Sequence, residues 1–371
     1  MEKLYVIWYA CLGEGLSGGD NILIELCRRW KLNITIFTGK EGKRMGESLA
    51  ASFKICPSHR FFRYVERLYY TLKTAFTFKD QDCIVYTASD FPHDLLVGWI
   101  IKLRFPQVRW VAGYYLVICP VLAPNNPYKG CNMVKGILYR SLQCVTLRIV
   151  NKWADLVYVT SEPERKHFTK PTVVIKGGVD IKKIDFYLHN ENKVFIPFKN
   201  AKYDAVFVGR LHYQKGILEL MEIWKKVNET LPLSKLLVIG DGPLREKAEK
   251  IAPSTVTFVG FQKDKFSLLC DSKIILHPAT YDSGGMACAE GMALGLPAVG
   301  FDLEVFKTYY PYGMLKAKTK DEFAKYIISL LTDETLYYQT SIDARSLIVN
   351  HWDWEKRSKE IYDETKRILL S

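Results

Sequence analysis

Residues 278–303 read PATYDSGGMACAEGMALGLPAVGFDL and directly follow an apolar run that is typical of a buried strand. Two glycines after Asp282 let the backbone approach a ligand closely, and a short helix that carries Glu290 follows them. The first N–H groups of such a helix can donate to a phosphate or sugar oxygen. The pattern therefore predicts two carboxylates facing one ligand across the helix N-terminus. The alternative is that Asp282 only caps the helix.

A second strand, turn and helix start lies upstream, at residues 203–216, which read YDAVFVGRLHYQKG. Arg210 and Lys215 lie on the turn, with Gly209 and Gly216 beside them. Cations and glycines at the carboxyl end of a strand suit a bound diphosphate, because the glycines allow close approach and the cations pair with phosphate oxygens. We therefore predict a diphosphate clamp at this turn.

Together the two stretches resemble the nucleotide-sugar half of the GT4 family of retaining glycosyltransferases, whose fold is called GT-B. The family's Gly-Arg-x4-Lys-Gly turn matches residues 209–216, and its Glu-x7-Glu motif matches Asp282 and Glu290. The first acid is Asp here, which is one methylene shorter than the family's Glu. The resemblance covers essentially the whole chain and is most specific over residues 203–303.

The resemblance implies that a sugar passes from a nucleoside diphosphate to an acceptor hydroxyl with its anomeric configuration retained. It implies catalytic roles for Arg210 and Lys215, which would stabilise the departing diphosphate, and for Asp282, which would lie beside the donor sugar. The implied donor-binding residues are Gly18, Gly19, Gly209, Phe261, Gly284, Gly285, Met286 and Glu290. We expect no metal and no cofactor, because the cations would do the work of a divalent ion and the sequence shows no metal-ligand spacing.

Members of that family often carry a histidine after the strand that corresponds to Arg109–Gly113 of this chain. Tyr114 and Tyr115 stand there instead. Either hydroxyl could orient the sugar, and we assign neither a catalytic role.

Strands alternate with helices in both halves of the chain, which predicts parallel sheets with right-handed crossovers. By resemblance the α/β fold is GT-B, with two Rossmann-like parallel-sheet domains that face a central cleft. The predicted parts are an acceptor-side domain at 1–180, a polar linker at 181–202, a nucleotide-sugar-binding domain at 203–350, and a helix at 351–371 that packs back on the first domain.

The net charge of +12 lies mostly in the first half. Residues 1–180 hold 25 Lys and Arg against 15 Asp and Glu, a balance of +10. Nucleic acid fits poorly because no nucleic-acid motif accompanies this charge, whereas an anionic membrane surface or a lipid-linked acceptor fits better. Nine scattered cysteines indicate a reducing compartment, and no apolar run is long enough to span a membrane. We therefore expect a cytoplasmic protein, either free or peripheral on the cytosolic face of the membrane.

One amphipathic helix is predicted over residues 59–73. Its apolar row consists of Phe61, Val65, Leu68, Leu72 and Phe76, and the opposite row of Arg60, Arg63 and Arg67. The helix could pack its apolar face into the core and leave the arginines solvated. Alternatively, the apolar face could dip into lipid headgroups while the arginines meet phosphates.

Two other function classes stay open. A catalytically silent GT-B subunit that binds a nucleotide or a partner should show a broken clamp or acid pair, yet all four positions are filled. A GT-B sugar-nucleotide epimerase is a weaker alternative, because such enzymes lack this combination of clamp and acids. The donor sugar, its base and the acceptor cannot be read from the sequence.

Overall fold

The computed structural model describes residues 3–11, 18–56, 63–118, 133–190, 201–282 and 284–370. The chain forms two compact units, one made of Met1–Gly177 with Glu355–Ser371 and the other of Gly178–Trp354. Each unit is built on one sheet whose paired strands are all parallel. The predicted α/β fold with two Rossmann-like domains is confirmed.

The first unit holds a seven-stranded sheet in the order β3-β2-β1-β4-β5-β6-β7. Its strands are β1 Lys3–Trp8, β2 Asn33–Gly39, β3 Ser52–Cys56, β4 Ile84–Thr87, β5 Arg109–Gly113, β6 Leu156–Val159 and β7 Thr172–Val174. Its helices between strands are α1 Gly18–Arg29, α2 Lys40–Met45, α3 Arg63–Thr77, α4 Pro92–Arg104 and α5 Met133–Trp153. Every residue of β4 and β6 is buried, as expected for inner strands covered on both faces.

Helices α3, α4 and α5 form one layer on this sheet. They connect strands that succeed one another in a single direction, from β3 to β6, so right-handed crossovers place them on the same face. The contacts agree with this placement, since α4 packs against both α3 and α5. Helix α1 connects strands in the opposite direction and lies on the other face.

The second unit holds a six-stranded sheet in the order β10-β9-β8-β11-β12-β13. Its strands are β8 Tyr203–Val208, β9 Leu236–Ile239, β10 Val256–Gly260, β11 Ser272–His277, β12 Ala298–Phe301 and β13 Met314–Ala317. The helices that follow β7 are α6 Ile181–Asn190, α7 Ile217–Thr230, α8 Arg245–Ile251, α9 Phe266–Cys270, α10 Met286–Ala293, α11 Glu304–Tyr309, α12 Lys320–Thr332, α13 Glu334–His351 and α14 Trp354–Leu370. Side chains from β8, β9, β11, α7 and α12 form its main core.

Part of the predicted linker at 181–202 is helical. Helix α6 covers its first ten residues and belongs to the second unit, where Asp185 pairs with Arg345 of α13 at 2.6 Å. The linker prediction is wrong for these residues, because Ile184 is buried and Tyr187 packs against Phe266 of α9. Residues 191–200 lie outside the described part of the chain.

Helix α14 belongs mostly to the first unit. Glu355 pairs with Arg29 of α1 at 2.9 Å, and the Trp30 indole donates to the Ser358 carbonyl at 3.0 Å. The Tyr158 and Thr365 hydroxyls are 2.7 Å apart, which links the helix to β6.

Helix α3 places its apolar row outward, as only the lipid-facing alternative predicted, whereas Arg67 faces the interior, which neither alternative predicted. The guanidinium of Arg67 is buried and donates to the carbonyls of Tyr9 and Cys11, while it pairs with Glu41 at 3.1 Å. The predicted core side chains Val65, Leu68, Leu72 and Phe76 are instead exposed. The prediction of a solvated Arg67 is therefore wrong, because the carboxyl end of β1 presents carbonyls that need a donor. Phe61, Arg60 and the Arg63 side chain lie outside what the structure describes.

In the described part of the chain, no helix is long and apolar enough to cross a bilayer. The cysteines within the same ranges are free thiols.

Candidate active site

The clamp turn joins β8 to α7. After β8 come Gly209 and Arg210, then one 3-10 turn that ends at Lys215, and Gly216 directly precedes α7. The Arg210 side chain is exposed. The Lys215 ammonium lies 2.5 Å from Oδ2 of Asp282, so the structure brings together two predicted catalytic residues that are 67 positions apart.

The backbone holds this contact. Gly216 has φ of 68°, and a Cβ built on it would lie 1.9 Å from the Pro278 carbonyl oxygen. Only glycine permits so close an approach in this conformation. The turn therefore packs directly on the loop that carries Asp282.

The Asp282 carboxylate is held by protein groups on both oxygens. Oδ2 contacts Lys215 and lies 3.0 Å from Nε2 of His277, while Oδ1 accepts the N–H groups of Gly284 and Gly285, each at 3.2 Å. Burial alone would raise the pKa of Asp282, but the Lys215 charge and the His277 hydrogen bond outweigh it and hold this pKa well below its usual range. Asp282 is thus an anion that fixes Lys215 and also caps the glycine turn.

Tyr310 is hydrogen-bonded to the glycine turn that precedes α10. Its buried hydroxyl donates to the carbonyls of Gly284 at 2.7 Å and Gly285 at 3.0 Å, and its ring stacks on Trp352. Because the two glycine amides already donate to Asp282, the next amides are those of Met286 and Ala287 at the start of α10. Amides in that position have no acceptor within their helix.

Glu290, the second acid, lies on α10 and pairs with Lys265 at 2.5 Å. Lys265 precedes α9, and its ammonium also lies 5.6 Å from the centre of the Phe266 ring. Asp282 and Glu290 therefore each hold a different lysine. Sequence reasoning missed Lys265, His277 and Tyr310; of these only His277 had a signal, as the last residue of a strand just before the motif.

Two further predicted donor residues lie where parallel strands end. Gly209 follows β8, and its N–H donates to the Ile239 carbonyl of β9 at 3.0 Å. Phe261 follows β10 directly, and its ring is mostly exposed. Both positions suit a ligand at the carboxyl edge of the second sheet.

Gly18 and Gly19 belong to the first unit, at the start of α1. A Cβ on Gly19 would lie 2.7 Å from Cδ2 of Tyr115, so the turn needs a glycine to accommodate that ring. The Tyr115 hydroxyl contacts that of Tyr86. Tyr114 is instead a core residue, whose hydroxyl lies 3.0 Å from that of Thr146.

No cluster of three or more His, Cys, Asp or Glu side chains with metal-site geometry occurs among the described residues.

Sequence comparison finds a family match within the second unit. Residues 202–333 match the family described as Glycosyl transferases group 1. An uncharacterized glycosyltransferase of Methanocaldococcus jannaschii is 24% identical over 255 residues, which span 65% of this chain and 60% of that relative. Alpha-monoglucosyldiacylglycerol synthase of Acholeplasma laidlawii is 21% identical over 207 residues, or 49% of this chain and 52% of the synthase.

Solved structures share the fold over the full length. Anabaena HepE, solved in complex with UDP and glucose, has a TM-score of 0.73 at 16% identity and covers 99% of both chains. Sucrose-phosphate synthase from Thermosynechococcus elongatus has a TM-score of 0.71 at 15% identity and covers 100% of both. The resemblance predicted from the two motifs is confirmed: residues 202–333 match the group 1 glycosyl transferases, and the whole chain shares the GT-B fold.

Proposed function

We propose that the protein transfers a sugar from a nucleoside diphosphate to the hydroxyl of a lipid-linked or membrane-proximal acceptor, with retention of the anomeric configuration. The observation that carries the proposal is the partly buried contact between Lys215 and Asp282 at the carboxyl edge of the second sheet. It fixes a cation on the turn that also carries exposed Arg210, at the sheet edge where open α/β folds bind their ligands.

The clamp would act when the bond between the sugar and the diphosphate breaks. The departing diphosphate gains negative charge in the transition state, and preorganised cations stabilise that charge more than they stabilise the bound donor. Asp282 holds the Lys215 ammonium in place, so little reorganisation is needed. We propose that Arg210, Lys215 and the α10 amides suffice, and that transfer needs no metal.

UDP is the first donor nucleotide to test, because solved neighbours with this fold hold UDP and UDP-glucose. We expect UDP-sugars to raise the melting temperature more than GDP- or ADP-sugars do, in a thermal-shift series with and without EDTA. At about a hundred times Kd the added stability is about 2.7 kcal/mol. No shift with any of the three nucleotides would point to a silent subunit instead. Transfer that EDTA abolishes and Mg²⁺ restores would contradict the metal-free mechanism.

Glu290 is proposed to accept hydrogen bonds from the ribose hydroxyls, in exchange for part of its contact with Lys265. Glu290→Gln keeps the shape but loses the charge, so UDP and uridine should both bind about tenfold more weakly. Pyrophosphate should bind unchanged, because it carries no ribose. Calorimetric titration of the three ligands measures this.

Glu222→Gln is the matched control for Glu290→Gln, since Glu222 of α7 is also paired with a lysine, Lys320, but lies on the surface. It should leave all three affinities unchanged. Equal uridine binding by Glu290→Gln and the wild-type protein would remove Glu290 from the ribose site.

The acceptor is proposed to be lipid-linked on two grounds. Residues 1–180 carry the +10 balance that suits an anionic surface, and one relative is named as a synthase of a glucosyl diacylglycerol. Free thiols in the described part of the chain fit a place on the cytosolic side of that membrane.

A further inference from the structure

We propose that α3 and α5 of the first unit dock on an anionic lipid bilayer through their outward faces, here called the α3/α5 surface. Its most exposed apolar side chains are Val65, Tyr69 and Phe76 of α3 and Val134, Leu138 and Val145 of α5, each more than half exposed. The inference deepens the proposed function, on which it rests for its lipid-linked acceptor, by naming the surface that would bring the enzyme to that acceptor.

Helix α3 and residues 133–146 of α5 place mainly polar side chains inward and apolar side chains outward. On the inner side of α3, Arg67 binds two carbonyls, and the Thr71 and Thr74 hydroxyls bond the His93 carbonyl and the Tyr9 hydroxyl at 2.9 and 2.8 Å. This order is the reverse of an ordinary surface helix, whose apolar face turns to the core.

The first part of α5 repeats this reversal, whereas Leu147, Val150 and Trp153 further along the helix pack into the core. The buried amide of Gln143 accepts from the Ile118 N–H and donates to Asp90 and to the Leu116 carbonyl, each at 2.9 Å. Val134 and Leu138 stand one turn apart on the opposite side, and Val145 continues their row. The outward apolar row is therefore available to a partner.

The outward apolar rows of α3 and α5 can contact one flat surface at the same time. Helices α3 and α5 flank α4 in a single layer on one face of the sheet. The layer is also tied together at its surface, because the Phe91 ring before α4 stacks on Tyr139 of α5 and Arg104 of α4 lies over Phe76. A bilayer is such a flat partner, and a narrow protein groove is not.

Charge distinguishes a bilayer from a second copy of the chain. Between Asp94 and Asp155 the sequence has eight Lys and Arg and no Asp or Glu, and this stretch includes all of α5. Lys135 and Arg148 of α5 are exposed among the apolar side chains, and so is Lys73 of α3. Two copies of so basic a surface would repel each other, whereas anionic headgroups attract it. Apolar side chains among cations are typical of a helix lying in a lipid interface.

The test is co-sedimentation with vesicles of phosphatidylglycerol and phosphatidylcholine, compared with vesicles of phosphatidylcholine alone. The wild-type protein should pellet with the anionic vesicles, and less so at high salt. Neutralising two cations in Lys135→Gln/Arg148→Gln should weaken binding about thirtyfold, or about fivefold per residue. Val134→Ser/Leu138→Ser should weaken it about tenfold or more, because the two side chains lose their apolar contact with lipid.

Matched controls come from the second unit. Leu233→Ser/Ile342→Ser removes apolar side chains that are at least half exposed, and Lys247→Gln/Lys250→Gln removes exposed cations of α8. Both should bind vesicles like the wild-type protein. Every variant should keep its melting-temperature shift with UDP-sugars, so a loss of vesicle binding is separate from a loss of donor binding.

Three results would overturn the proposal. The wild-type protein could fail to pellet with anionic vesicles while it still binds UDP-sugars. The Val134→Ser/Leu138→Ser variant could pellet as well as the wild type. Light scattering could show that the wild-type protein is a dimer and that this same variant is a monomer, which would make the surface a contact between copies.

Discussion

Replacing Lys215 by alanine is expected to weaken UDP binding about ten- to hundredfold, since one charge-assisted contact contributes about 1.5–3 kcal/mol. Binding of uridine should change little, because Lys215 is proposed to meet only the phosphates. Transfer should slow by at least the same factor, because the lost charge would also stabilise the leaving diphosphate. Calorimetric titration with UDP and uridine, followed by a transfer assay, measures these effects.

Lys273→Ala is the matched control for the Lys215 variant. Lys273 of β11 also pairs with an aspartate, Asp204, at 2.8 Å and is partly buried, but it lies near the start of its strand, away from the carboxyl edge. Its loss should lower stability and leave UDP affinity unchanged. Arg210→Ala should behave like Lys215→Ala with a smaller effect on stability, because the Arg210 side chain is exposed. Wild-type UDP affinity in both clamp variants would contradict the clamp.

Asp282→Asn should reduce UDP affinity nearly as much as Lys215→Ala does. The asparagine oxygen can still accept the amides of Gly284 and Gly285, but its NH₂ group would face the Lys215 ammonium, donor to donor. Lys215 would then lose the anion that orients it. Titration of the variant with UDP measures the loss, and the melting temperature checks that the turn still folds.

A comparison of ligands separates the two roles of Asp282. If it acts through Lys215, UDP and UDP-glucose should lose affinity equally in Asp282→Asn. If its carboxylate contacts the donor sugar, as the family resemblance implies, UDP-glucose should lose affinity and UDP should not. We expect equal losses, because both oxygens of Asp282 are bonded to protein groups.

Removing the whole carboxylate should also cost stability. In Asp282→Ala the buried His277 and the two glycine amides lose an acceptor, at roughly 1–3 kcal/mol for each buried donor left without a partner. The melting temperature of Asp282→Ala should therefore fall below that of Asp282→Asn. Full activity in Asp282→Ala would show that the residue is only a cap.

Regular periodicity made most of the fold predictable from the sequence. The strand Arg109–Gly113 has the predicted bounds, because a buried strand leaves a clear apolar pattern. Strand β3 was missed since it lies at the sheet edge and is mostly exposed, so it has no such pattern.

The direction in which a helix faces could not be predicted from the period alone. The period places Val65, Leu68 and Leu72 on one row of α3, and this row exists, but it faces solvent. The orientation of the helix is set by the Arg67 guanidinium, which donates to two backbone carbonyls after β1 that are 56 and 58 positions away. No local pattern in the sequence predicts such a long-range hydrogen bond.

In the candidate site, too, local sequence patterns predicted some residues and missed others. Lys215 and Asp282 were predicted because each lies in a motif, and their contact then follows from the neighbouring strands β8 and β11. Lys265 and Tyr310 were missed because they lie in no motif and reach the site from 25 and 26 positions away.

The most direct test is a double-mutant cycle with Lys215→Ala and Asp282→Asn, measured as UDP affinity by calorimetry. If Asp282 serves the clamp by positioning Lys215, the two single variants should lose similar affinity, and the double variant should bind no more weakly than Lys215→Ala alone. Losses that add in the double variant, or unchanged UDP affinity in either single variant, would contradict a clamp built from this pair.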